Sequence, residues 1–289
     1  MAHVLDRGST VLRQLGGAAA TALAFLAAAP VQGQEAFDRS RDRGSGVPAS
    51  QFGTYIQRGQ FFFYPYYEYY HDDNYEYKPQ ELGFGLDRDF RGRYRGHEGL
   101  VWLGYGIADG LALELEAAVI KAKLDKSPDD TSPQPQRLEQ SGLGDVEAQL
   151  RWRWRRETEG GPEIFSYFET VFPFQKSKRL IGTPDWEFQL GGGLIRGFRW
   201  GTMTFRLAVG YAEGSPEPGE AAIEYLRRVS SRLRVFAAVE GAEDEFELIT
   251  EAQVFLRPNV ALILNNAVGL TSKAPGWAPE VGVMIWLDR

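Results

Sequence analysis

The sequence predicts an all-β fold, an antiparallel up-and-down transmembrane β-barrel of about 12 strands. The first observation behind this is a run of strict alternation. Asp145, Glu147, Gln149, Arg151, Arg153 and Arg155 fall on one side of an extended chain, and Val146, Ala148, Leu150, Trp152 and Trp154 on the other. The run lasts roughly the ten residues that a tilted strand needs to cross a bilayer. The second observation is rhythm, with short strand-like segments following one another through the chain and no crossover helix between them. The third is that no apolar run reaches the roughly eighteen residues of a membrane helix, which leaves any crossing to strands.

The N-terminus reads as an export signal. Arg7 and Arg13 precede a small, apolar run over residues 15–29, followed by Pro30-Val-Gln-Gly-Gln34. Cleavage after Gly33 would make residues 1–33 a signal peptide. Residues 34–57 are polar and punctuated by Gly and Ser, so they are expected to form a flexible periplasmic N-terminal segment. Residues 58–289 are assigned to the barrel.

The first strand is expected within residues 58–77, where Phe61, Phe62, Phe63, Tyr64, Tyr66 and Tyr67 favour a sheet and Pro65 removes one ladder donor. Residues 99–108 form the second strand, closed by Asp109-Gly110, a strong hairpin signal. In the third, 111–123, Leu111, Leu113, Leu115, Ala117 and Val119 oppose Glu114 and Glu116. A Pro-rich loop over 124–140 leads to the fourth, 141–156. The fifth, 162–174, sets Ile164, Phe168 and Phe172 against Glu163 and Glu169. The sixth covers 185–199, and the seventh, 202–211, alternates Met203, Phe205, Leu207, Val209 and Tyr211 with Arg206 on the other side. After a loop over 213–219 come strands at 220–229, 232–241, 245–256, 260–270 and 279–287. Connections after strands two, four, six, eight and ten are tight. Those after one, three, five, seven and eleven are mostly longer and more polar, though the one after nine is also short, a pattern of periplasmic turns and outer loops.

A soluble β-sandwich also alternates, with its apolar side inward. Two features favour the membrane. Charges of both signs share single polar faces, as staves around a lumen would allow. Trp102, Tyr105, Trp152, Trp154, Trp186, Trp200, Tyr211 and Trp286 fall near strand ends, where aromatic girdles belong.

At Gly142-Leu-Gly-Asp-Val146, Arg257-Pro-Asn-Val-Ala-Leu262 and Gly269-Leu-Thr271 the chain resembles the outer-membrane β-barrel family named for the meta-pathway of phenol degradation, often simply called transporters. The resemblance implies a barrel in the outer membrane. Similar sequences often carry an acidic residue where this one has Asn265-Asn266. The chain ends Ile285-Trp-Leu-Asp-Arg289 rather than in the terminal aromatic typical of barrel-insertion signals, so recognition by the barrel-insertion machinery would rest on Trp286.

A formal charge of −7 argues against a nucleic-acid surface, and the absence of cysteine excludes disulfides and thiolate chemistry. Of three histidines, His3 falls in the signal. His71-Asp-Asp-Asn74 could seed a cation site or an Asp–His pair, but no nucleophile elbow, HExxH or phosphate loop accompanies it, and solvated loop residues are the plainer reading. No catalytic residues, metal or cofactor are therefore assigned. The functional constellation is the polar face: Glu114, Glu116, Asp145, Glu147, Arg151, Arg153, Glu169, Arg206, Glu247 and Glu251, expected to line a lumen. They would either form a selective path for small solutes, aromatic or acidic, or lock into paired ladders that plug the barrel. The expected function is an outer-membrane channel or transporter, with membrane lipid, insertion machinery and a small-molecule solute as partners. The alternatives are a plugged structural barrel and a secreted soluble sandwich or lipocalin-like binding protein.

Overall fold

Alternation along each strand closes into a ring. The computed structural model describes residues 38–212 and 214–288, so the predicted signal peptide lies outside the described residues. Two short strands, β1 (Val47–Pro48) and β2 (Tyr55–Ile56), pair with each other. The wall follows in chain order: β3 (Phe61–Tyr77), β4 (Phe90–Ala108), β5 (Leu111–Asp125), β6 (Arg137–Arg155), β7 (Glu163–Phe172), β8 (Glu187–Phe198), β9 (Gly201–Ala212), β10 (Ser215–Arg228), β11 (Leu233–Ala242), β12 (Glu245–Arg257), β13 (Val260–Gly269) and β14 (Ala278–Leu287). Each pairs antiparallel with its neighbour. β14 returns to β3 through Trp286↔Phe62 and Val281↔Tyr67, giving a closed twelve-strand barrel.

The sense of the alternation is polar inside and apolar outside. On β5, Glu114 is 2% exposed while its neighbours Leu113 and Leu115 face out, and Val119 reaches 63%. Leu150, Phe205, Leu207 and Leu248 continue the apolar belt around the ring. A sandwich would have buried these side chains. Tyr105, Trp154 and Trp200 are exposed at the end that carries the tight turns, and Trp186 and Tyr211 at the end with the longer loops.

Three expectations change. Trp102 and Trp286 do not belong to a girdle. Trp102 is 2% exposed and packs edge-on against Phe62 at 4.2 Å, and Trp286 meets the same ring at 5.4 Å. Residues 215–219 are strand rather than loop. Ser215, Pro216, Glu217 and Pro218 pair with β9 alone, because β11 begins its pairing only at Ala221, so the prolines sit where a missing N–H costs no ladder bond. The second and fourth strands begin nearer the loop end than expected, at Phe90 and Arg137. There the polarity of the alternation reverses, with Phe90 and Tyr94 buried and Arg93 and Arg137 exposed.

Candidate functional site: the lumen

Residues 39–57, within the polar segment expected to be flexible, occupy the centre of the lumen. From residue 39 the segment enters at the tight-turn end, where Asp42, 1% exposed, accepts the backbone N–H of Arg228 at 2.8 Å. Arg43 pairs with Glu157 and donates to the Tyr55 hydroxyl at 3.3 Å. The chain then forms the β1–β2 hairpin, with Val47 opposite Ile56. Both side chains are fully buried against Phe62, Tyr64, Trp102, Ile263 and Met284 of the wall. Burial of each contributes about 1.5–3 kcal/mol. The turn is closed by Ala49 N–H to Thr54 O at 2.7 Å, with Phe52 and Gly53 at φ 41° and 66°. The segment leaves against β4, where Gly106 is required: a Cβ there would lie 1.9 Å from the Gln57 carbonyl oxygen.

The hairpin tip spans the barrel. On one side, the Ser50 hydroxyl donates to Glu114, the Ser50 N–H reaches the same carboxylate at 3.2 Å, and Gln51 Nε2 donates to Glu116 at 3.3 Å. On the other side, Gln253 Nε2 donates to the Phe52 carbonyl at 2.9 Å, and the Phe52 ring meets Phe236 edge-on at 5.6 Å. Glu114 and Glu116 are on β5 and Phe236 is on β11, six places away around a ring of twelve, so the tip bridges opposite walls.

The predicted lumen residues separate into four settings. Glu114, Arg151 and Glu251 form the seat of the hairpin, each at most 5% exposed. Arg151 lies 4.0 Å from Glu114 and over the rings of Phe165 and Tyr167, both 5.1 Å away. Glu251 accepts from Gln253, which in turn accepts from Arg234 at 2.5 Å. Glu169, Arg206 and Glu247 line a cavity of about 230 Å³ above the tip. Glu116 and Glu147 line a second of about 250 Å³, together with Asp145. Arg153 lines neither; it sits at the turn end and donates to the Asp109 carbonyl at 2.5 Å.

Within the first cavity the positive charge is consumed. Arg206 is held by Glu220 at 2.6 Å, Glu224 at 2.6 Å and Glu240 at 2.8 Å. Glu68 and Glu280 face the same space, beside the rings of Phe52, Tyr66, Tyr167 and Phe236. A carboxylate excess with aromatic walls is what remains. Sequence reasoning missed Glu68, Glu220, Glu240 and Glu280. The first is hidden in the aromatic run of β3, and Glu220 adjoins a proline-rich stretch taken for loop.

Asp145 has a different task. It sits where the β5–β6 register slips, and it accepts the backbone N–H groups of Gln175, at 3.1 Å, and Thr183. These two bonds draw loop 173–186 inward. Leu180 and Ile181 then bury against Tyr77, Phe90, Tyr94, Ala122 and Leu124. Loop 126–136 is fixed nearby by Asp130, whose burial would raise its pKa. The Ser132 N–H at 2.7 Å, the Tyr77 hydroxyl at 2.9 Å and Lys126 at 3.8 Å outweigh that and hold it below the usual aspartate range.

His71 and His97 lie on the outer face near the loop end. His71 contacts Asp73 at 3.2 Å, and His97 Nδ1 bonds the Tyr67 hydroxyl at 2.7 Å. Among the described residues, no group of three or more His, Asp or Glu is arranged to hold a metal ion.

No protein-family model matches the chain, and no curated protein resembles it in sequence. Its fold is similar to that of an outer-membrane channel from Pseudomonas putida F1, with a TM-score of 0.59 at 13% identity over 83% of this chain and 100% of that one. Weaker likenesses are to the translocator domain of the autotransporter NalP from Neisseria meningitidis (TM-score 0.48, 11% identity, 78% of this chain and 88% of that one) and to the CymD monoaromatic hydrocarbon channel (0.41, 8%, 88% and 99%). At these identities the likeness is one of fold, that of outer-membrane barrels.

Proposed function

We propose that the chain is an outer-membrane conduit for small solutes, closed in the conformation described by its own N-terminal hairpin. One observation carries this: the tip at Ser50, Gln51 and Phe52 crosses between opposite walls, with a cavity of about 230 Å³ directly beyond it. A barrel meant only as a wall would fill its interior with side chains from its own strands. Here much of the filling is a separate segment held at its tip by a few polar bonds and one ring contact. The outward apolar belt supports placement in a bilayer, because that much exposed Leu, Val and Phe would drive aggregation in water.

The chamber favours neutral or cationic solutes over acidic ones, since its one arginine is matched by three glutamates and further carboxylates stand unmatched. An aromatic solute fits the rings of Phe52, Tyr66, Tyr167 and Phe236. A second reading, a permanently closed structural barrel, is favoured by the buried ties of Asp42 and Arg43 at the turn end. Planar-bilayer conductance decides between them. The conduit reading expects brief, cation-preferring openings on a closed baseline. Silence under every voltage, in the native chain and in variants with the tip contacts removed, would favour the structural barrel. Recovery of the protein as a soluble periplasmic monomer would end both.

A further inference from the structure

On the tall side of the barrel the outer face changes character within two residues. Along β5 the outward positions read Leu111, Leu113, Leu115, Ala117, Val119, then Lys121 and Lys123; along β4, from the same level, they read Val101, Gly99, His97, Arg95, Arg93 and Arg91. Register sets these side chains side by side: His97 is opposite Lys121, and Arg95 opposite Lys123. Lys178, from the inward-drawn loop, donates to the Ser141 carbonyl at 2.6 Å, and Ser141 is opposite Lys121.

The upper part of this patch is neutralised. Arg91 pairs with Glu76 at 2.7 Å, Arg93 with Asp73 at 2.8 Å, Arg137 with Asp125 at 2.7 Å and Lys123 with Glu139 at 3.5 Å. The row next to the apolar belt is not. Among the described residues, no carboxylate lies within ion-pair reach of Arg95 or Lys121, and Arg95 Nε has no hydrogen-bond partner. In a chain of formal charge −7, this is a local reversal of sign.

Height identifies the occupant. Leu111 to Val119 is eight steps; at about 3.3 Å per residue and a tilt of about 40°, it rises roughly 20 Å, close to the ~25 Å apolar band of such barrels. Lys121 and Arg95 therefore stand at the level of lipid head groups on the loop side, flanked by Tyr67, Tyr69 and Trp277. We propose that this patch binds the phosphate-bearing head group of an outer-leaflet lipid, with Arg95 and Lys121 as its principal contacts. The inference rests on the membrane placement argued above.

The test uses the full mature chain. It is inserted into phosphatidylcholine vesicles, extracted in detergent, and titrated with diphosphoryl lipid A and, separately, with the dephosphorylated lipid; retained lipid is read by native mass spectrometry. Wild type should retain the diphosphoryl lipid preferentially, and less so as salt rises. Arg95→Gln and Lys121→Gln should each weaken retention about fivefold, the equivalent of about 1 kcal/mol per cation at a membrane surface. Lys176→Gln, in loop 173–186, should leave it unchanged. Heat-modifiable migration checks that each variant is folded, and the salt dependence of wild type stands even if a variant is not. Equal retention of both lipids, retention insensitive to both substitutions, or full competition by inorganic phosphate alone would overturn the proposal while leaving the membrane barrel intact. Failure of wild type to insert into the vesicles would overturn the membrane placement itself, and this inference with it.

Discussion

Removing the contacts of the hairpin tip should open the conduit without unfolding the wall. In Ser50→Ala/Gln51→Ala/Phe52→Ala the backbone bonds at Ala49, Thr54 and residue 50 remain, as do the anchors at Asp42 and Arg43. What is lost is the Ser50 hydroxyl bond to the Glu114 carboxylate, about 1.5–3 kcal/mol for a bond to a charged group, and the longer Gln51–Glu116 contact, about 0.5–1.5 kcal/mol. The edge-on pairing of Phe52 with Phe236 adds about 0.5–1.5 kcal/mol. Together these come to about 2.5–6 kcal/mol. At about 1.4 kcal/mol per decade, the ratio of open to closed states should rise between roughly sixtyfold and roughly twenty-thousandfold. The assay is open probability in planar bilayers at fixed voltage, with melting followed by circular dichroism. The ladder of twelve paired strands is untouched, so the melting temperature should hardly move. An unchanged open probability with an intact barrel would refute the reasoning, because the tip would then not be what closes the lumen.

Other consequences follow from the same geometry. Leu150→Arg places a charge on the exposed apolar belt and should cost about 2–4 kcal/mol in unfolding titrations from lipid, whereas a lumen substitution should chiefly alter ion selectivity; equal cost at both would mean the faces are misassigned. Arg206→Gln strips three carboxylates of their shared partner and should destabilise the barrel by about 3–5 kcal/mol, with part of the loss recovered by adding Glu224→Gln. Asp130 has a lowered pKa in the folded loop, so it stabilises the fold above the ordinary value of 3.8, and that contribution is lost as pH falls through the lowered pKa. Protection of the Ser132 amide from hydrogen exchange, relative to its intrinsic rate at each pH, should therefore fall only below about pH 3.8, and a fall beginning near neutrality would contradict the assignment.

The wall is legible where one face is apolar and exposed and the other polar and enclosed. Asp145 to Arg155 reads cleanly because both requirements act on consecutive residues, and Asp109-Gly110 fixes its hairpin by backbone chemistry alone. Legibility failed where the surroundings changed. Above the belt, Phe90 and Tyr94 turn inward while Arg91, Arg93 and Arg95 turn out, so a pattern scored for one sense ends the strand too early. In β3 both faces are aromatic, since Phe62 and Tyr64 pack on the hairpin while Phe61 and Tyr67 face outward. The hairpin itself was misread for a physical reason. A segment that docks in a polar lumen needs hydroxyls, amides, carboxylates and glycines, the same composition that marks a chain unable to bury a core. Its buried apolar side chains, Val47, Tyr55 and Ile56, with Phe52 at the tip, follow no periodic spacing. Among the lumen charges, parity placed Glu114, Arg151 and Arg206 on the inner side, but which of them pair depends on neighbours distant in sequence, such as Glu240 with Arg206.

If movement of the hairpin tip opens the lumen, fixing the tip should keep it closed. The chain has no cysteine, so Gln51→Cys/Glu116→Cys introduces a pair of thiols at side chains that now meet at 3.3 Å. A short bis-maleimide with a reducible centre can bridge them in the purified protein. Conductance should vanish in the bridged barrel and return when the bridge is reduced, while the singly substituted chains treated alike keep the openings of the native protein. Openings that persist at full strength through a complete bridge would contradict the account.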